Sequence, residues 1–515
     1  MQMKAMCVYS ELYGRDVSRD EIIDKIRSLD INKALSALRL LFSNLDTQWY
    51  LEYIYIKIKN LDENKIRNRV LYSKQGLFYT LKWLMAYSEQ LNNNKFELKV
   101  LLEDIVDIID LQIMISDYLE KDNINPMTYI YKNIYFNTQR NYKNEIVRAF
   151  EIYVKLASQK EIYNLKEYVD INEGFVSKYN ISIKEYIAIE FLLLQFHLTD
   201  FKFKTLNLNK FLSKTNKIEE YNKIIRSLGQ DMQSYKTWAK ETIYDSWDYS
   251  EINKYPLIKI NYNEYISLDS FTIVNLWFEG LYWKIVDSTS DRKKMIDFLG
   301  RPFEKYVELI TEDVIKRSAL EYEFIPEFKY GKGLCKRSSD AYIRKEKTLF
   351  IIECKAGRPK RSTFEKEDKN NIIEAIKKFC ITSINQAQNA FNNICNEKKD
   401  LNFDKIEEIY IICVSLESVK HTKETVNIIK TELGNVLNER IKGYCNLNIE
   451  EYEAFCELLY ESRDIKEILD IYMIDMDRNP FINCIYDNVK ICIQYNFMNL
   501  KFVAVVKEIK EILGM

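Results

Sequence analysis

Histidine is nearly missing from this chain: His197 and His421 are the only two in 515 residues. Mechanisms built on several histidines, such as multi-histidine metal centres and two-histidine phosphoesterases, are therefore disfavoured. No G-x-x-x-x-G-K-[ST] segment occurs, which argues against a P-loop nucleotide engine. The 10 cysteines include no C-x-x-C pair, so neither a disulfide framework nor a structural zinc site is expected. That usage fits a reduced, cytoplasmic protein. Long uncharged runs are also lacking. The most apolar stretch, Ile266 to Ile285, is broken by Asp269 and Glu279, so no membrane span is expected. The N-terminus has no apolar signal-peptide core. Net charge is scarce as well, with 75 Lys and Arg against 77 Asp and Glu. Any catalysis would have to come from carboxylates, lysines and a hard metal ion.

What is present is a globular composition, 47% hydrophobic and 30% charged, which makes intrinsic disorder unlikely on compositional grounds. At roughly 100–200 residues per domain the length suggests two to four domains. Residues 1–255 contain one proline (Pro126) and four glycines, whereas the remainder holds five prolines and eight glycines. So little punctuation, with apolar residues three and four apart, predicts a mainly α-helical region over 1–290. Ser18 with Glu21 forms a capping-box pattern ahead of Ile22, Ile23 and Ile26. Leu98 to Leu119 predicts another helix, with Leu101, Ile105, Ile108, Ile109 and Ile113 on one stripe. Trp49, Trp83, Trp238 and Trp247 are expected mainly in the core. The alternating segment after Pro256 marks a junction.

From residue 300 the order of elements carries more information. Gly300-Arg301-Pro302 reads as a helix start, since proline lacks the N–H that would be unpaired there. Strands are predicted at Tyr322–Phe328, Ser339–Arg344 and Thr348–Lys355, a long amphipathic helix at Asn370–Cys395, and a strand buried on both faces at Ile406–Val414. This order implies a mixed sheet with a helical crossover, placed as a domain over 296–440. Residues 441–515 are expected to be a small helical extension.

The chemistry concentrates at Ser338-Ser339-Asp340 and at Leu349-Phe350-Ile351-Ile352-Glu353-Cys354-Lys355. Alternation along a strand puts Glu353 and Lys355 on one side and Cys354 on the other. A hairpin through Lys345-Glu346-Lys347 can bring Asp340 beside Glu353. Two carboxylates at one sheet edge repel each other and invite a cation. A hard, oxygen-seeking ion is expected, Mg²⁺ with Mn²⁺ as substitute, held by Asp340, Glu353 and the carbonyl of Cys354. Lys355 would serve the attacking water and the developing charge. Between Lys329 and Arg361 there are 11 Lys and Arg against three acids, a local charge of +8 in a chain whose total is −2. Lys332, Lys336, Arg337, Arg358, Lys360 and Arg361 are the candidate nucleic-acid contacts in the two glycine-containing loops.

Asp340…Glu353-Cys354-Lys355 resembles the D…E-x-K signature of the PD-(D/E)XK, or restriction-endonuclease-like, nuclease superfamily, over roughly residues 300–416. The resemblance implies an additional acid on the preceding helix, which falls on Glu304 with Glu308 as the fallback. It also implies a glutamine on the following helix, Gln386, with Asn385 and Gln388 as adjacent competitors. Serine at 339 stands where the superfamily often has proline. Glu327-Phe328-Lys329 is the best decoy, because it also ends a strand-like run, but no upstream strand offers it an aspartate. The expected fold is thus multidomain α+β, a large helical region followed by a restriction-endonuclease-like domain with a mixed central sheet. The expected function is Mg²⁺-dependent cleavage of nucleic acid, most simply DNA, in defence against foreign (viral) DNA or in repair, with a homodimer as one allowed form. The alternatives are a non-catalytic nucleic-acid-binding module and a helical sensor or scaffold with a conditional nuclease effector.

Overall fold

The structure is a computed structural model that describes residues 8–43, 71–88, 100–119, 141–199, 205–245, 248–357, 369–397, 401–417, 419, 422–434 and 437–514. It is an α+β protein whose helices dominate the first half. The Arg19–Ser28 helix begins as the sequence predicts: the Ser18 hydroxyl accepts from Glu21 N at 3.2 Å, and Ser18 N donates to the Glu21 carboxylate at 2.9 Å. Ile22 and Ile26 are buried beneath it. The Leu102–Leu119 helix buries Ile105, Ile108, Ile109 and Ile113, but Leu101 precedes it and is 48% exposed, so the expected stripe is one residue too long. Trp83 and Trp238 are core residues, whereas Trp49, Trp247 and His421 lie outside the described residues.

Four short strands interrupt the helical region: β1 (Leu206–Asn207), β2 (Gly229–Asp231), β3 (Leu257–Lys259) and β4 (Glu264–Ser267), in the order β1-β4-β3-β2. Strands of two to four residues leave no readable period, and only β3 was legible, after Pro256.

The second half is built on a five-stranded mixed sheet. Its strands are β5 (Glu323–Pro326), β8 (Ala341–Lys345), β9 (Thr348–Lys355), β10 (Glu408–Ser415) and β11 (Ile441–Asn448), ordered β11-β10-β9-β8-β5. A separate two-stranded ribbon, β6 (Lys329–Tyr330) with β7 (Lys336–Arg337), lies between β5 and β8 in the chain. The β5–β8 and β8–β9 pairs are antiparallel, and the β9–β10 and β10–β11 pairs are parallel.

Strand alternation divides the buried side chains between two cores. Ala341, Ile343, Phe350, Ile352, Cys354, Tyr410, Ile412, Val414, Cys445 and Leu447 join the large core shared with the helical region. Tyr342, Leu349, Ile351, Ile409, Ile411 and Cys413 join a smaller core beneath the crossover helix. That helix runs as Lys369–Ile376, passes through a π-helical turn at Lys377–Ile381, and continues as Thr382–Glu397.

Three expectations need correction. Pro302 does not open a helix but sits inside the 26-residue Arg292–Arg317 helix, which Asp291 caps by accepting from Lys294 N at 3.0 Å. The missing N–H costs one internal hydrogen bond, and the buried stripe of Met295, Phe298, Leu299, Phe303, Val307, Ile310 and Val314 outweighs it. Residues 441–448 form the edge strand β11 rather than helix. The region beyond it is also not set apart: the Ile449–Tyr460 helix packs on the Arg292–Arg317 helix, and the Asn496–Leu513 helix packs on Tyr142–Ala149 and Ile183–Thr199 of the first half. Among the described residues no helix is long and apolar enough to cross a membrane.

Candidate active site

Hydrophobic burial dictates where the acids stand. Leu349 to Ile352 are fully buried, which fixes the register of β9 and leaves Glu353 and Lys355 at its C-terminal exit. β8 pairs with β9 antiparallel, Ala341 opposite Ile352, so Asp340 arrives one step further on, opposite Glu353. The turn between them places Glu346 at a φ of 52°. Asp340 Oδ2 accepts from the backbone N–H of Cys354 at 2.6 Å, which pins the two strand ends together. The β8–β9 hairpin thus brings Asp340, Glu353 and Lys355 to one end of the sheet.

Glu353 is buried and Asp340 partly so, and both are short of positive partners. Burial holds the Asp340 carboxyl well above the usual range. Glu304 and Glu353 push it further up, against the Cys354 N–H and Lys355. Glu353, 6% exposed, is raised chiefly by its burial. The nearby Ser339 hydroxyl and Lys355 pull it down, and Glu304 and Glu327 add to the rise. The Ser339 hydroxyl lies against Glu353 without closing a well-formed hydrogen bond. Ser339 N in turn donates to the Tyr342 hydroxyl at 3.0 Å.

The site sits on the end of the sheet, so layers on both faces reach it. From one side the Arg292–Arg317 helix passes the exit of β9: a Cβ at Gly300 would lie 3.9 Å from both Ala356 Cβ and Glu304 Oε1. Glu304 is the helix acid whose charge acts on Asp340 and Glu353, while Glu308 is paired with Lys305 at 2.7 Å. Glu304 itself is held by Arg301 at 3.0 Å. From the other side, Lys355 Nζ donates to Gln386 Oε1 at 2.7 Å. The competitor Gln388 is buried and accepts from Asn438 N at 2.7 Å, a structural role. Cys354 is buried among the large core, as alternation requires.

The basic loops divide. Lys332 is exposed at the tip of the β6–β7 ribbon, Lys336 pairs with Glu397 at 2.8 Å, and Arg337 lies 3.8 Å from Glu327. Arg358, Lys360 and Arg361 lie outside the described residues.

Sequence reasoning set Glu327 aside as a decoy, yet it belongs to this end of the sheet. It follows Pro326, which pairs with Ala341, and its charge bears on Glu353. Burial raises its carboxyl, with Glu304 and Glu308 adding to the rise and Arg337 and Arg301 opposing it. Glu327, Glu304, Glu308, Arg301, Arg337 and Tyr163 help to line a cavity of about 300 Å³ where the helical region meets the sheet module. The signal that could have exposed Glu327 was the register of β5 on β8, which no local motif records.

The donor set suits a hard divalent cation. Asp340 and Glu353 are like charges side by side in a desolvated place, and every donor there is an oxygen. Mg²⁺ is held through one or two carboxylates with water and phosphate completing its shell. Among the described residues no three His, Cys, Asp or Glu side chains form a group that could hold a metal ion. In comparisons with known proteins no family model matches the chain, and no curated protein or solved structure matches it.

Proposed function

We propose that the chain is a divalent-metal-dependent nuclease of the restriction-endonuclease-like kind, acting on DNA. One observation carries this reading: two desolvated, electrostatically unbalanced carboxylates, Asp340 and Glu353, face each other at a sheet end beside a lysine oriented by a glutamine. The antiparallel β5-β8-β9 arrangement, followed by a helical crossover to parallel β10, supports the resemblance that the D…E-x-K spacing suggests.

Asp340 and Glu353, with the Cys354 carbonyl, would hold the ion. Bound there, Mg²⁺ or Mn²⁺ supplies charge neutralisation and Lewis-acid polarisation of a phosphodiester. The chain's own groups do the rest. Gln386 fixes the Lys355 ammonium at the mouth of the site, where it orients water and meets negative charge developing on phosphorus oxygens. Glu304 adds negative charge that favours cation entry. The large helical body supplies recognition or regulation, in keeping with a role in defence or repair that rests on fold-level analogy.

The test is cleavage of supercoiled plasmid and of single-stranded DNA with Mg²⁺, Mn²⁺ or chelator, comparing wild type with Lys355→Ala. Metal-dependent cleavage by wild type and a loss of about 10²–10³-fold in the variant are expected, the scale seen when one transition-state donor is removed. Thermal stability should fall only modestly, because Lys355 makes one described hydrogen bond, to Gln386, and its charge opposes those of Asp340 and Glu353. Equal cleavage by the variant, or cleavage that survives chelation, contradicts the reading.

A further inference from the structure

The β6–β7 ribbon has a feature the proposed chemistry does not use. Lys329 pairs with Arg337 and Tyr330 with Lys336, and the chain reverses through Gly331 (φ 80°), Gly333 (φ 70°) and Leu334 (φ 53°). A leucine in left-handed backbone is strained, because its Cβ crowds the carbonyl. This leucine is also 57% exposed, so no burial offsets the strain. Backbone strain that packing does not explain points to function.

The ribbon is rigidly rooted. Tyr330 is buried in the smaller core, and Phe328 and Ser338 clamp its base: Ser338 N donates to Phe328 O at 2.9 Å, and Phe328 N to the Ser338 hydroxyl at 2.9 Å. Lys336 is braced on Glu397 at 2.8 Å. What projects is Lys332, Gly333, Leu334 and Cys335, all exposed. The nine residues Lys329 to Arg337 include four cations and no acid. The ribbon leaves the sheet at the end that carries Asp340, and six residues of extended chain span at most about 20 Å.

We propose that this ribbon enters a groove of duplex DNA, with Leu334 wedged between base steps from the minor-groove side and the cations beside it on phosphates. The proposal rests on the nuclease reading above and adds how the duplex is engaged. β-Ribbons enter the minor as well as the major groove of DNA, and exposed leucine is among the side chains that unstack base steps and kink a duplex from the minor groove. The strained turn holds Leu334 forward at the tip, so the wedge is in place before DNA arrives. Kinking next to the site would open the backbone toward Asp340 and Glu353.

The experiment uses the full chain in chelator, so that nothing is cut, with a duplex of about 30 base pairs carrying a dye at each end and a 2-aminopurine within. Wild type, Leu334→Ala and Leu334→Asn are compared. Wild type should raise both energy transfer between the ends and 2-aminopurine fluorescence. Both variants should lose these signals, bind duplex about 10-fold more weakly, and keep the salt dependence of binding, because no phosphate contact is removed. Metal-dependent cleavage of single-stranded DNA should remain at the wild-type rate. Asparagine suits left-handed backbone, so Leu334→Asn should keep or raise the melting temperature while losing the bend, which a merely structural leucine would not do. Bending and unstacking by the variants equal to wild type, or duplex binding by wild type with neither signal, overturns the wedge and leaves the nuclease reading standing if cleavage persists. Absence of both nucleic-acid binding and cleavage in wild type overturns both.

Discussion

Among the described residues, two groups of carboxylates that are wholly or partly buried have opposite surroundings. In the first, at the joint between the helical region and the sheet module, Arg148 is inserted among Glu145, Glu450 and Glu453. Its guanidinium donates to both Glu453 oxygens, at 2.9 and 2.8 Å, and lies 3.0 Å from Glu145. The Tyr306 hydroxyl donates to Glu453 at 2.7 Å, and Asn141 N donates to Glu450 at 2.9 Å. Burial weakens the charge on Arg148, and Glu145 and Glu453 more than restore it. This network draws together the Tyr142–Ala149, Arg292–Arg317 and Ile449–Tyr460 helices. In the second group, Asp340 and Glu353 face each other with one backbone N–H and a lysine whose own hydrogen bond goes to Gln386. Burying an ion costs several kcal/mol, which the ion pairs with Arg148 offset for Glu145 and Glu453 and which no ion pair offsets in the second group. On the proposed reading, the contrast separates a structural joint from a cation site.

The comparison breaks most visibly at Arg148. Arg148→Met leaves Glu145 and Glu453 buried without their cation and should cost about 3–5 kcal/mol, read as a lowered denaturant midpoint. Glu353→Gln removes an unbalanced charge and should leave stability unchanged or raise it by about 1 kcal/mol, and on the proposed reading should abolish metal-dependent cleavage. Equal destabilisation by the two substitutions would erase the distinction.

Proton titration sharpens it. Burial, with Glu145 next, pushes the Glu450 carboxyl up to about 7. A carboxyl whose folded value exceeds its unfolded one binds more protons when folded, so stability falls as pH rises from the ordinary carboxylate range through about 7. Glu450→Gln keeps an acceptor for Asn141 N and should flatten that fall, an effect on the order of 3 kcal/mol in unfolding profiles between pH 4 and 8. An unchanged slope would show that Glu450 is not the titrating group. Asp340 and Glu353 are raised too and contribute with the same sign when no metal is bound.

The smallest effect concerns Gln386, which touches Lys355 and not the acids. Gln386→Ala should reduce the cleavage rate by about 10-fold, roughly 1.4 kcal/mol, by releasing the lysine while leaving metal affinity unchanged. A loss of metal affinity in this variant would place Gln386 in the ion's own shell.

How much of this the sequence made legible follows from the range of the interactions. β9 was read over its full length because Leu349 to Ile352 form an unbroken apolar run, and the hairpin to Asp340 followed from a three-residue polar turn. The long crossover helix was likewise visible, although its π-helical turn was not. β11 was missed because Ile441–Asn448 buries Asn446 and Cys445 rather than a β-branched run. Asn446 is made tolerable there by donating to Cys413 O at 3.1 Å on the neighbouring strand. Pro302 was misread because local backbone chemistry favours a helix start, and tertiary burial overrode it. Arg148 and Glu453 are 305 residues apart, so nothing local could announce their pairing. Within the site, Asp340, Glu353 and Lys355 were local features, while the approach of Glu327 depended on strand register.

Calorimetric titration of the metal-free protein with Mn²⁺, comparing wild type with Asp340→Asn at pH 7.5, tests the central claim without relying on catalysis. The account predicts saturable binding by wild type and no binding by the variant. Equal binding by the two proteins, or none by wild type, would contradict it.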